Sequence, residues 1–172
     1  MAESLVTIVP ASEKDVHLIR CLALEIWPKT YAEILPRDQI DYMMNMMYTE
    51  EAIRTQMQKD HQFIIVYNEG LPVGFAAYGE IAPSIYKLFK IYVLRSEQGK
   101  GKGKFIIQQI ISDIESQGAM TLQLNVNRYN KAKLFYEKLG FNVVRTEDIN
   151  IGNGYLMNDY IMEKRLTGSK VH

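Results

Sequence analysis

Ile85-Tyr86-Lys87-Leu88-Phe89-Lys90-Ile91-Tyr92-Val93 runs through Leu94 into Arg95-Ser96-Glu97-Gln98-Gly99-Lys100-Gly101-Lys102-Gly103-Lys104. Beyond it, Ile106, Ile107, Ile110, Ile111 and Ile114 recur at the i, i+3, i+4 spacing of one buried helix face, and Gly118 closes the helix. The order is strand, glycine turn, helix. Gly99, Gly101 and Gly103 have no Cβ, so the backbone there can adopt positive φ and come close to a ligand. The helix that follows leaves its first N–H groups unpaired, and its dipole adds partial positive charge at that end. Such a turn suits a phosphate, and Lys100, Lys102 and Lys104 are expected to add mobile charge for a ligand with more than one.

Two phosphate motifs are excluded by spacing. The Walker-type loop needs G-x-x-x-x-G-K-[ST], and no glycine here stands in that relation to Gly-Lys-Ser or Gly-Lys-Thr. The dinucleotide fingerprint needs G-x-G-x-x-G, whereas this turn is G-x-G-x-G. Gln98-Gly99-Lys100-Gly101-Lys102-Gly103 does resemble the [QR]-x-x-G-x-[GA] pyrophosphate loop of the GNAT superfamily of N-acetyltransferases, and Leu88 to Leu94 is similar to the strand that precedes it there. A second stretch, Asn127-Arg128-Tyr129-Asn130-Lys131-Ala132-Lys133-Leu134-Phe135-Tyr136-Glu137-Lys138-Leu139-Gly140-Phe141, resembles that superfamily's N-x-x-A-x-x-[FL]-Y-x-[KR]-x-G-F signature. One departure stands out: Asn130 lies two residues before Ala132, where the commoner spacing is three. Read as a helix, this stretch has Asn130 as its N-cap, an apolar stripe at Ala132, Phe135 and Leu139, and Gly140 as its stop.

The 172 residues suggest one domain over 1–166 with a frayed tail over 167–172. Hydrophobic residues are 47% and charged residues 23%, a globular balance. Twenty basic residues against 20 acidic ones argue against a protein devoted to nucleic acid, so the lysines of the turn point to a small anion instead. A single cysteine, Cys21, excludes an intrachain disulfide and a cysteine-rich zinc site. His17, His61 and His172 show no metal or triad spacing, so no metal is expected. No apolar run is long enough for a membrane span and no signal pattern opens the chain, so the expected location is cytoplasmic, with no membrane partner.

Along the chain, Leu5–Val9 reads as a strand and Ser12 as the cap of a helix with Val16, Ile19, Ala23, Ile26 and Trp27 inward, stopped by Pro28. Ile40, Met43, Met44 and Met47 mark a second helix, and Thr49 caps a third with Ile53 and Met57. Strands follow at residues 62–67, 72–78 and 85–93 as an antiparallel meander. The strand at 121–126, reached across the helix, is expected parallel to its neighbour, and strands from 141 to 148 and from 155 to 164 pair across Gly152-Asn153-Gly154. The class is mixed α/β: one central mixed sheet of about seven strands with helices on both faces, as the resemblance also implies.

The resemblance implies acetyl-CoA as cofactor, coenzyme A as product and a small-molecule amine as acceptor. In the family two strands splay and the pantetheine arm lies between them, here along Ile91, Tyr92 and Val93. Carried over residue by residue, the cofactor contacts are these three with Gln98, Gly99, Lys100, Gly101, Lys102, Gly103, Lys104, Asn130, Ala132, Phe135, Tyr136 and Lys138. Tyr136 would protonate the departing thiolate and the Val93 N–H would face the thioester oxygen. An alkylamine has a pKa near 10, so a base is needed, and Glu80 beside Tyr78 is the candidate. Trp27-Pro28-Lys29-Thr30-Tyr31, Asp38 to Met47 and Asn158 to Lys164 are similar to the PaiA-like, polyamine-acetylating branch. That places Trp27, Tyr31, Tyr78 and Glu80 at the acceptor and favours a polyamine. A protein N-terminus or lysine as acceptor, a non-catalytic acetyl-CoA sensor, and the family's common homodimer stay open at this point.

Overall fold

The computed structural model describes residues 5–167. Its elements follow the order β1 (Val6–Pro10), a single 3-10 turn (Glu13–Asp15), α1 (Val16–Tyr31), α2 (Arg37–Met47), α3 (Glu50–Gln58), β2 (Gln62–Asn68), β3 (Leu71–Ala82) and β4 (Ile85–Val93). A second 3-10 turn (Arg95–Glu97), α4 (Lys102–Ser116), β5 (Thr121–Asn127), α5 (Ala132–Lys138), β6 (Asn142–Gly152) and β7 (Tyr155–Arg165) complete it. The seven strands form one mixed sheet in the order β1-β2-β3-β4-β5-β7-β6. β1 and β2 are antiparallel, as are β2 and β3, while β4 and β5 run parallel across α4. Pairing of β5 with β7 and of β7 with β6 is antiparallel. The mixed α/β class read from the pattern is the one observed.

The described residues fold as two compact units, 5–79 with 90–107 and 80–89 with 108–167. In the first, α1 buries Val16, Ile19, Leu22, Ala23, Ile26, Trp27 and Tyr31. Each large apolar side chain removed from water contributes roughly 1.5–3 kcal/mol, so a seven-residue stripe outweighs a local defect. That corrects one expectation: Pro28 does not stop α1, which continues to Tyr31. The bond that proline removes would have gone to the Leu24 carbonyl, and Leu24 is exposed, so water can take its place. The Thr30 hydroxyl also donates to the Ile26 carbonyl at 2.9 Å, beside the defect. At α3 the Thr49 hydroxyl accepts from the Ala52 N–H at 3.1 Å, the cap its position called for.

In the second unit, Ile110 and Ile114 of α4 are buried with Leu122, Leu124 and Val126 of β5 and Ile161 and Met162 of β7. α4 ends at Ser116, and Gly118, with φ of 92°, turns the chain out of it. β6 and β7 are joined through Gly152, Asn153 and Gly154, all at positive φ. β6 reaches Gly152, four residues past the expected end, because β7 partners it through Gly152↔Tyr155. The expected frayed tail lies outside the described residues from 168 onward; Thr167 itself donates its hydroxyl to Glu115 at 3.2 Å.

Candidate active site

Beyond Val93 the Leu94 N–H reaches the Val73 carbonyl at 2.8 Å, and the Gln98 amide donates back to the Val93 carbonyl at 3.1 Å. The strand end and the turn are thereby tied together. Gly99 and Gly101 have φ of 76° and 83°, the left-handed region. A Cβ built on either would meet nothing within 4 Å, so the demand for glycine is conformational rather than steric. α4 begins at Lys102, which puts Gly103 inside the helix; two glycines rather than three make the turn. The Phe105 N–H donates to the Gly101 carbonyl at 3.1 Å, and the N–H groups before it are the orphan donors of a helix start.

The lysines divide. Lys100 and Lys104 are exposed, as a mobile charge needs to be. Lys102 is only 5% exposed and its ammonium lies 2.7 Å from Glu97, so it is fixed rather than mobile. The same bond holds the Glu97 carboxyl below its usual range. Asn68 donates to that carboxylate at 3.5 Å. Glu97 was not legible as part of the turn, although an acid before a run of three lysines was a signal. Two left-handed glycines, a helix start and two exposed lysines fit a diphosphate.

Around the end of β4 the first unit holds an aromatic cluster. Trp27 and Tyr31 are buried there, and the Tyr31 and Tyr92 hydroxyls are 3.2 Å apart; Tyr78 is buried too, but on β3 in the register alternate to Phe75. Trp27 stacks at 4.2 Å on Tyr31, Tyr48 lies edge-on to Phe75, and Phe75 meets Tyr92 at 5.8 Å. Burial pushes the Tyr48 phenol well above its ordinary value, and the Tyr92 hydroxyl adds to this. The Lys90 ammonium, 8% exposed, sits 5.4 Å from the Tyr48 ring centre. Tyr48 and Lys90 were not singled out from sequence, yet Lys90 shares the inward register of Tyr86 and Leu88. Gly74 on β3 is required by packing, since a Cβ would fall 2.5 Å from the Tyr92 carbonyl. Ile91 and Tyr92 are half-buried and Val93 is buried.

In the second unit Asn130 is not the helix N-cap but the residue before it. Its side-chain oxygen still accepts the Ala132 N–H, at 2.9 Å, so the shortened spacing is absorbed as an Asx turn. α5 then carries Tyr136, which is buried between the rings of Phe135 (5.3 Å) and Phe141 (5.9 Å). Phe135 and Ala132 are half-buried and Lys138 is exposed. Gly140 has φ of 95°, and the Lys164 ammonium occupies the space a Cβ would need, donating to the Leu139 carbonyl. Glu80 is exposed and accepts the Ser84 N–H at 3.1 Å, so its carboxylate secures the β3–β4 turn. The β4–β5 ladder covers Ile85–Leu88 against Thr121–Leu124, while β4 itself continues to Val93 and β5 to Asn127. Among the described residues no group of three His, Cys, Asp or Glu is disposed to hold a metal, and no helix is long and apolar enough to cross a membrane.

Comparison with known proteins adds to this geometry. Residues 32–164 match the family model of the acetyltransferase (GNAT) domain. The chain is 42% identical over 57 residues to the ribosomal protein bS18 alanine N-acetyltransferase of Haemophilus influenzae, a stretch that is 33% of this chain and 39% of that protein. The match thus spans about two fifths of that relative's length. It is 25% identical over 138 residues to the N-acetyltransferase YuaI of Bacillus subtilis, 77% of this chain and 78% of that one. Its fold is similar to that of a PaiA N-acetyltransferase from Thermoplasma acidophilum solved with coenzyme A, with a TM-score of 0.78, 26% identity and coverage of 94% and 99%.

Proposed function

Because the chain belongs to the acetyltransferase (GNAT) domain family, whose members use acetyl-CoA, we propose that it transfers an acetyl group from acetyl-CoA to a primary amine of a small molecule, a polyamine being the favoured acceptor. The observation that carries this is the turn after β4, where Gly99 and Gly101 take left-handed conformations immediately before a helix start. Bound there, acetyl-CoA would supply an activated acetyl thioester. The turn's backbone N–H groups with Lys100 and Lys104 hold the diphosphate, and Gln98 keeps the turn closed on Val93. Asn130, Ala132, Phe135 and Lys138 complete the family's set of contacts. Lys102 contributes by fixing Glu97 and the turn.

Beyond the end of the β4–β5 ladder, the backbone of Ile91, Tyr92 and Val93 carries the pantetheine. The Val93 N–H is the dipole aimed at developing oxyanion charge, a contribution greatest where water is excluded. The Tyr136 hydroxyl, at the end of a side chain clamped by two aromatic rings, moves a proton to the leaving sulfur. Glu80, directly or through water, takes the proton from the incoming ammonium. Trp27 and Tyr31 shape the acceptor side from within the aromatic cluster, and Tyr78 contributes to it from β3. On family grounds the reading extends to a homodimer in the cytoplasm, which light scattering and cell fractionation would test.

A second reading has its own support: the 57-residue similarity to an enzyme named for an alanine of a ribosomal protein favours a protein N-terminus as acceptor. A release assay for coenzyme A thiol separates the two. The first reading expects turnover with spermidine and none with an Ala-terminated peptide; the reverse result selects the second. Absence of thiol release with every amine, while acetyl-CoA binds, would leave a sensor.

A further inference from the structure

On β5 the side chains alternate, with Leu122, Leu124 and Val126 on one face of the sheet and Gln123, Asn125 and Asn127 on the other. Register carries the polar face outward in both directions. Lys87 pairs with Gln123 on the β4 side, Asp159 with Asn127 and Glu163 with Gln123 on the β7 side, and Glu147 with Asp159 on β6. All of these lie in the second unit.

Most of the charges there are matched. The Gln123 amide donates to Glu163 at 2.9 Å, Arg145 to Glu147 at 2.7 Å, and Arg128 to Asp148 and to the Asp159 carbonyl. Asp159 and Asn125 are not. The Asn125 amide donates to Oδ2 of Asp159 at 3.3 Å, but among the described residues Oδ1 of Asp159 and Oδ1 of Asn125, both buried, meet no donor. Asp159 as a whole is 6% exposed. Two neighbouring buried acceptors that lack donors are rare in native proteins, because each has given up water for nothing in return. They call for a group that only donates. An alkylammonium has three N–H donors and no acceptor, and it brings the opposite charge.

We propose that Asn125 and Asp159 form the subsite that receives the ammonium of the acceptor amine, with Lys87 as the flexible side chain that yields to it. This rests on the acetyl-transfer reading above and adds what selects the acceptor: positive charge rather than apolar bulk. Lys87 is half-buried on the same face, and among the described residues it forms no ion pair with Asp159. Burial disfavours its charge where it stands, while Asp159 favours it. The groups that act on Asp159 are Asn125 from β5, Lys87 from β4, Arg128 from the turn after β5 and Glu147 from β6. Burial is the largest influence and raises its carboxyl above the ordinary value. The carboxylate form is therefore the one an incoming ammonium restores. Glu147 and Glu163 on the same face are already held by Arg145 and Gln123, so the subsite selects a single ammonium, for which spermidine is the probe.

The test is the KM for spermidine and for acetyl-CoA in the wild type and in Asp159→Asn, across the acid and neutral range. The variant keeps the shape and loses the charge, so the spermidine KM should rise about tenfold or more. The acetyl-CoA KM should stay within about twofold. In the wild type kcat/KM for spermidine should fall on the acid side as Asp159 takes a proton, and the variant should lose the Asp159 part of that fall while keeping the part due to the general base. Equal spermidine KM and equal pH profiles would overturn the proposal and leave acetyl transfer intact. A second measurement needs neither folding of a variant nor turnover. In 13C-labelled wild type without acetyl-CoA, spermidine should shift the Asp159 carboxyl resonance and lower its titration midpoint. An unmoved resonance refutes the subsite; a moved one in a protein that acetylates nothing upholds the subsite and refutes acetyl transfer.

Discussion

Tyr136 owes its position to its neighbours: Asn130 turns the chain into α5, Gly140 ends the helix one turn later, and Phe135 and Phe141 hold the ring. Removing only its hydroxyl tests whether it donates a proton. Tyr136→Phe should lower kcat by about 10²–10⁴-fold with the acetyl-CoA KM little changed, read from steady-state thiol release. Its melting temperature should stay near that of the wild type, because the apolar ring remains. The residue was legible because both its flanking glycine and its aromatic neighbours stand in one short motif. Asp159 was not legible, since its partners come from β4, β5 and β6 and only register unites them. An acid in the same alternation as Met157 and Ile161 was the available clue.

The glycine turn shows what kind of constraint an element imposes. Gly99→Ala and Gly101→Ala each place a Cβ in open space but in a left-handed backbone, so each should destabilise by about 1 kcal/mol and raise the acetyl-CoA KM. Gly74→Ala is the contrasting case, in which a Cβ must displace the Tyr92 backbone; a loss of about 1–3 kcal/mol is expected by denaturant unfolding. The Glu97–Lys102 bond gives the turn a pH signature. Glu97 has its carboxyl held below the ordinary value of 4.5, so its stabilisation is complete above that value and is lost as pH falls through the depressed one. Urea midpoints measured downward from about pH 6 should therefore fall less steeply in Glu97→Gln than in the wild type. That variant leaves a buried ammonium unpaired and should be less stable by about 1–3 kcal/mol near neutrality. The turn's location was readable from three glycines, whereas the start of α4 at Lys102, whose side chain is paired with Glu97 five positions back, was not. Pro28 misled for a related reason: the stripe from Val16 to Tyr31 outweighs one missing bond.

At the scale of the molecule, the alternation of strand and helix periods was enough to give seven strands in one mixed sheet, because turn residues and crossovers are local signals. Where the β4–β5 ladder stops is not local. Ile85–Leu88 and Phe89–Val93 look alike as sequence, and only pairing shows that the first segment meets β5 at Thr121–Leu124. The same limit hid the interior roles of Tyr48 and Lys90, which follow from strands and helices far apart in the chain. The proposal that joins the geometry to the family is chemical: a diphosphate-bearing thioester acetylates a small-molecule amine, a polyamine such as spermidine being the favoured class. Mass spectrometry of spermidine after incubation with the wild-type protein and acetyl-CoA tests it most directly. The account predicts acetylated spermidine with one equivalent of free coenzyme A thiol, both abolished or strongly reduced in Tyr136→Phe; unmodified spermidine, or product formed equally well by that variant, would contradict it.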